Sequence, residues 1–184
     1  MGEFSIETDR LILRDWRASD ATPFHDMSND PRVMQFLGVL KTVAEVDDII
    51  ERMSELQERV GCCFWAIEQK KDAAFLGFCG VKPGPAETPI EGRVEIGWRL
   101  AHPYWGLGFA REAAEASLDW CFSNRGDDSV WAITVDQNVR SRTLMERLGM
   151  QQQHTLGFDH PDVAYDSPLR PHVTYSIGRD QWRA

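Results

Sequence analysis

From Arg93 to Leu100 the chain reads RVEIGWRL, and Val94, Ile96 and Trp98 alternate with Arg93, Glu95, Gly97 and Arg99. That period of two predicts a strand with one apolar face. Further strands are predicted at 10–16 (RLILRDW), 63–69 (CFWAIEQ), 75–82 (FLGFCGVK) and 130–136 (VWAITVD), and near 151–158 and 172–178. Helices are predicted from about Asp20 with Ser19 as N-cap, from Thr42 to about Arg59, over 108–124 and over 139–148. Thr42 and Glu45 stand in capping-box spacing at the second of these starts. Between the strands ending at Lys82 and beginning at Arg93, prolines at 83, 85 and 89 forbid regular structure and mark a loop. Strand–helix alternation over 93–149 requires a crossover and locally parallel strands, whereas the flanking hairpins are antiparallel. The expected fold is mixed α/β, with one domain over 1–184 (core 8–180) and a mixed central sheet of about six or seven strands flanked by about four helices.

Composition narrows the class. The chain has 184 residues, enough to close a core without disulfide staples. With 42% hydrophobic and 27% charged residues it has the profile of a globular protein. No apolar run approaches the roughly 20 residues of a membrane helix, and the start, MGEFSIETDR, lacks a signal core. A cytoplasmic protein is expected, with no membrane partner. Its four cysteines read as buried, reduced thiols. The formal charge of −9 argues against nucleic acid and favours cationic or amine partners. The five histidines show no metal-ligand spacing, so no metal is expected.

The stretch HPYWGLGFAREAAEASLDW, His102 to Trp120, poses the chemical question. Gly106, Gly108 and Ala110 lead straight into a helix. A Walker loop needs a Lys followed by Ser or Thr, and neither is present. A dinucleotide fingerprint needs a third glycine where Arg111 stands. A tight structural turn and a backbone-only anion cradle both remain, because bare glycines leave the first helical amides open to a ligand.

The loop YWGLGFAREAA resembles the acyl-CoA-binding loop of the GCN5-related N-acetyltransferases, R/Q-x-x-G-x-G/A. Trp105 stands in the Arg/Gln position, and Gly108 and Ala110 in the small ones. The W-G-x-G-[FY]-A form is similar to the branch of ribosomal-protein N-terminal (RimJ/RimL-type) acetyltransferases. The resemblance extends over TDRLILRDW, FLGFCGV, VEIGWRL, DQNVRSRTLMERLGM and the closing FDHPDVAYDSPLRPHVTYSI. It implies acetyl-CoA as co-substrate and a sheet splayed at the cofactor cleft by a bulge near Gly97. It further implies cofactor contacts from Ile96, Gly97, Trp98 and Leu100, from Trp105, Gly106, Leu107, Gly108, Phe109 and Ala110, and from Asn138, Ser141 and Arg142.

Acetyl transfer to an amine needs a bound thioester, a neutral amine and a stabilised oxyanion. Glu95 has two readings: a general base acting through water, or a surface carboxylate paired with Arg93 or a basic residue on the next strand. Asn138 reads as an N-cap, and the resemblance adds a contact to the cofactor arm. Many relatives carry a Tyr general acid where this chain has Met145, which leaves Ser141 as the nearest hydroxyl for the departing thiolate. Arg111, Arg140 and Arg142 lie near the two helix starts, and Arg142 is favoured by position for the 3′-phosphate. Cys79 or Cys121 as an acyl carrier lacks a paired histidine.

Deprotonating an α-amine of pKa near 8 at pH 7.4 costs roughly 0.8 kcal/mol, against about 4 kcal/mol for a lysine side chain. A base working through water suits the first, so the expected acceptor is a peptide or protein N-terminus. A small amine such as a polyamine or an aminoglycoside is the alternative, as is a CoA-binding sensor without turnover. The chain is expected as a monomer or homodimer.

Overall fold

The computed structural model describes residues 4–182. Among the described residues nine strands form one sheet: β1 (Ser5–Glu7), β2 (Leu11–Arg14), β3 (Phe64–Gln69), β4 (Phe75–Pro83), β5 (Val94–Leu100), β6 (Ser129–Val135), β7 (Gln151–Gln152), β8 (Phe158–Asp159) and β9 (Pro171–Gly178). The helices are α1 (Ala21–Ser28), α2 (Pro31–Met34), α3 (Val43–Val60), α4 (Phe109–Asn124) and α5 (Val139–Arg147). Six strands have four or more residues and four helices have eight or more, in line with the sequence expectation. β1 and α2 are too brief for a periodicity signal, and the strand expected near 151–158 is instead two two-residue strands, β7 and β8, separated by a 3-10 turn at His154–Leu156.

The strand order is β1-β2-β3-β4-β5-β6-β9-β7, with β8 also on β9. All pairings are antiparallel except β5–β6. Alternation sorts the side chains. Leu13, Ile67, Cys79, Val81, Val94 and Ile96 join Ala113, Ala114 and Leu118 of α4 in the main core. Phe64 and Phe78 face the other way and pack with Phe24, Met27 and Val46 from α1 and α3.

The helix starts show how local chemistry fixes boundaries. Thr42 accepts from the Glu45 amide at 3.2 Å, and Glu45 accepts from the Thr42 amide at 2.8 Å, the capping box expected. Gly61 closes α3 in the left-handed region at φ 74°. Ser19 is not a cap. It lies in a 3-10 turn, Ala18–Asp20, where the Asp20 carboxylate accepts from the Arg17 amide and from both terminal nitrogens of Arg14.

Candidate active site

The site begins where the sheet comes apart. β5 and β6 pair in parallel only at Val94–Val130 and Glu95–Trp131, after which both strands run on unpaired with each other. The expected splay is therefore present, but the bulge at Gly97 is not. The β4–β5 register runs without a shift from Gly77–Leu100 to Pro83–Val94. Gly97 has a different reason to be glycine: an added Cβ would stand 2.6 Å from Cζ of Phe64. That ring lies parallel to Phe78, with centroids 5.6 Å apart.

Which backbone groups face the opening follows from the ladder. Ala101 donates its amide to Leu76 O at 2.8 Å, one step beyond the Leu100–Gly77 pair. In an antiparallel pair the bonding direction alternates, so Trp98 and Leu100 aim N–H and C=O at the open edge while Gly97 aims its own at β4. The Leu100 carbonyl is already engaged, accepting from Trp105 Nε1 at 2.7 Å. Trp105 thereby ties the glycine loop to the end of β5. Its indole lies 5.0 Å from His102 and 4.9 Å from the guanidinium carbon of Arg140, which reaches over from the first turn of α5.

The loop itself has the form of an anion cradle. Gly106 and Gly108 sit in the left-handed region at φ 74° and 83°, which an L-residue enters at a cost of about 1–2 kcal/mol. Gly108 caps α4 with no side-chain bond. Among the described residues, Glu112 is the first helical amide to find an acceptor, the Gly108 carbonyl at 3.1 Å; the six amides from Gly106 to Arg111 donate to no protein group. Six amides at the positive end of a 16-residue helix make a seat for a polyanion.

The cradle is braced by a residue the sequence reading missed. Arg10, just before β2, donates through Nη1 to the Leu107 carbonyl at 3.0 Å and lies 4.4 Å over the Phe109 ring. Its Nε and backbone amide bond Glu112, which also accepts from the Thr8 hydroxyl at 2.6 Å. Burial alone would raise the Glu112 pKa, but these donors outweigh it and hold the carboxyl below its ordinary value. The pairing joins residues 102 positions apart, so local sequence carried no sign of it.

Glu95 projects with Gly97 and Arg99 to the α1–α3 side. Lys82, directly opposite on β4, places Nζ 2.5 Å from Glu95 Oε2, and both side chains are largely covered. Of the partners considered for Glu95, the structure selects the adjacent-strand lysine; Arg93 stacks on Trp131 at 3.9 Å instead. Asn138 does cap α5, accepting from the Ser141 amide at 3.3 Å while donating to Thr134 Oγ1 at 3.2 Å. Ser141 lies in the first turn of α5, half-buried, and Met145 is sunk in the main core. Arg142 is engaged by Asp136 at 2.7 Å, Tyr175 at 3.2 Å and Gln152 at 3.4 Å, and Arg111 by Glu115 at 2.8 Å.

The thiols lie outside this chemistry. Cys79 and Cys121 are buried in the main core, and burial pushes both up to about 12. An ionised sulfur nucleophile is not accessible there near neutral pH.

A splayed pair of strands beside an amide-lined helix start is an arrangement suited to an extended, anionic ligand. The family model of the acetyltransferase (GNAT) domain matches residues 10–151. The chain belongs to that family and is an acetyl-CoA-dependent N-acetyltransferase. It is 33% identical to the protein YkkB of Bacillus subtilis over 163 residues, covering 88% of this chain and 94% of that one. Among solved structures it resembles a GNAT-family acetyltransferase from Bacillus anthracis (TM-score 0.78, 20% identity, 96% of this chain and 99% of that one). It also resembles a ribosomal-protein-S5-alanine acetyltransferase from Vibrio fischeri (0.73, 18%, 98% and 100%). A third likeness is to a spermidine N-acetyltransferase from Vibrio cholerae in complex with CoA and spermine (0.72, 15%, 95% and 98%). At these identities the structural likeness is one of fold.

Proposed function

We propose that the chain moves the acetyl group of acetyl-CoA directly onto the α-amine of a peptide or protein N-terminus, within the ternary complex. The observation that carries the binding half is the run of unengaged amides from Gly106 to Arg111 beside the open edge of β5. The pyrophosphate takes the cradle formed by Gly106, Leu107, Gly108, Phe109 and Ala110. The pantetheine arm runs along the open edge, beside Ile96, Trp98 and Leu100 on one side and Asn138 and Ser141 on the other. Arg140, over Trp105 and with no carboxylate bonded to it among the described residues, replaces Arg142 as the arginine for a cofactor phosphate.

In the transfer step the amine nitrogen attacks the thioester carbon, the C–S bond breaks, and CoA leaves as the thiolate. The Trp98 amide is the backbone donor for the developing oxyanion. Glu95 takes the amine proton through a water, and the charge of Lys82 keeps that carboxylate oriented. Ser141 is assigned to the thiolate; with an ordinary thiol pKa near 8.5, full protonation before departure is not required. The RimJ/RimL-type motif W-G-L-G-F-A supports an N-terminal acceptor. So does the chemistry of a base acting at a distance, which suits an amine of pKa near 8 better than a lysine or polyamine.

The test is thiol release from acetyl-CoA across peptides of varied N-terminus, polyamines and aminoglycosides. Release with peptides at saturable concentrations is the expected result. Preference for polyamines over every peptide would overturn the acceptor assignment while leaving the cofactor site standing.

A further inference from the structure

Arg99 stands two strand positions beyond Gly97 on the face that carries Glu95, and among the described residues no carboxylate pairs with it. Its Nε and Nη1 are buried without a hydrogen-bond partner, and Nη2 is not enclosed in this way. The guanidinium carbon lies 5.2 Å from the centroid of the Phe78 ring. Burial lowers its pKa to about 10, with no carboxylate acting against that shift, so the side chain still carries its proton at neutral pH.

The neighbouring charges on this side of the sheet are matched. Glu95 pairs with Lys82, and Glu68 with Arg14 and Arg17. Asp20 pairs with Arg14. Among the described residues Arg99 has no carboxylate partner, and its guanidinium lies over the Phe78 ring. A buried unpaired cation destabilises the fold that holds it, and a well-packed apolar residue there would be better tolerated. Its retention is accounted for if a ligand supplies the missing anion.

The acceptor is the ligand that comes to this face. The opposite face of β5 is closed, since Val94 and Ile96 are packed against α4. An amine reaching a thioester on the open edge must therefore approach from the side of Glu95 and Arg99. Arg99 is the residue after Trp98, whose amide points into the opening, so its side chain starts about 3.3 Å along the strand from that donor. The guanidinium, over Phe78 on that same face, is a charged donor for a carboxylate carried by the acceptor.

We propose that Arg99 selects a peptide or protein acceptor whose first residue, Asp or Glu, carries a carboxylate close to its α-amine. This rests on the acetyl-transfer reading above and narrows its substrate class. Polyamines, which bring a second cation to a buried guanidinium, are disfavoured by the same charge.

The experiment measures thiol release with peptides matched in all but the acid, those opening with Glu or Asp against those opening with Gln or Asn. The native chain is expected to favour the acidic member by roughly tenfold to a hundredfold in kcat/KM, the range of a charge-assisted pair. Arg99→Met erases that preference, leaves CoA affinity by calorimetry unchanged, and does not lower Tm. Arg99→Lys retains part of the preference and keeps the test open if the methionine variant folds poorly. Equal turnover of acidic and neutral members, or loss of CoA affinity in both variants, overturns the proposal. If no amine releases thiol although CoA binds, the acetyl-transfer reading fails by itself. Calorimetric binding of a peptide opening with Glu to the CoA complex, present in the native chain and lost in Arg99→Met, would then still support the carboxylate site, and its absence would refute it.

Discussion

Lys82 and Glu95 face each other as direct partners across the β4–β5 ladder, with Nζ 2.5 Å from Oε2. The pair is largely covered, and its Lys82 end lies 5.0 Å from the Phe64 ring that Gly97 makes room for. A carboxylate held this way has a fixed direction, which a proton acceptor working through one water needs. Glu95→Gln is expected to lower kcat/KM for the amine by about a hundredfold, at the lower end of general-base contributions. CoA affinity should stay as it is. Unchanged turnover in thiol-release assays would remove Glu95 from the mechanism.

Gly97→Ala tests the packing under that pair. Its methyl group would collide with Phe64 at 2.6 Å, so the ring must leave its stack on Phe78. We expect a loss of about 1–3 kcal/mol in denaturant unfolding, the usual cost of overpacking. An unchanged midpoint would mean that Phe64 swings aside freely.

The two loop glycines separate conformation from space. An added Cβ at Gly106 meets nothing within 4 Å, and at Gly108 it meets Arg10 Nη2 at 3.3 Å. Gly106→Ala should therefore cost only its left-handed backbone, about 1 kcal/mol. Gly108→Val adds a β-branched side chain against Arg10 and is expected to abolish CoA binding. Retained calorimetric affinity in that variant would falsify the cradle.

Asn138 caps α5 in this structure, and its assignment to the cofactor is a separate claim. Asn138→Ser keeps a capping oxygen and should hold stability within a few tenths of a kcal/mol, whereas Asn138→Ala is expected to lose about 1 kcal/mol. A weaker CoA affinity in the serine variant, at unchanged Tm, would show that the amide touches the ligand as well. Equal affinity in both would leave only the cap.

The buried thiols give an alkaline signature. Burial lifts Cys79 from the ordinary thiol value of 9.0 to about 12. The folded protein thus retains a proton that the unfolded chain releases above pH 9. Its contribution is intact below that pH and declines between 9 and 12, at up to about 1.4 kcal/mol per pH unit. Urea midpoints from pH 8 to 10.5 should fall less steeply for Cys79→Ala than for the native chain. Parallel slopes would place the thiol in a more polar setting than this one.

Much of the fold was legible because it is written locally. The alternation from Arg93 to Leu100, the Thr42–Glu45 box and the glycines before α4 each specify their own element. The glycine loop was readable for the same reason, since its chemistry is carried by backbone and needs no distant partner. What escaped was whatever depends on register across the sheet. Arg10 reaches Glu112 across 102 positions, and Lys82 meets Glu95 only because β4 and β5 pair as they do. The bulge expected at Gly97 failed for a similar reason: the glycine answers to Phe64, a side chain from β3 that local sequence does not bring near. Arg99 could have been singled out earlier, as a cation on a half-buried strand with no acid at cross-strand spacing.

The two halves of the sheet are stitched together along β5 and β6 by only two residue pairs. A thioester lying in the gap would supply the missing rungs, so occupancy and rigidity of this region become a single thermodynamic quantity. At a free ligand concentration a hundred times Kd, that coupling amounts to about 2.7 kcal/mol. The seam between β5 and β6 is therefore expected to be cut more slowly by a protease when acetyl-CoA is bound than when it is absent, and equal cleavage would uncouple the two.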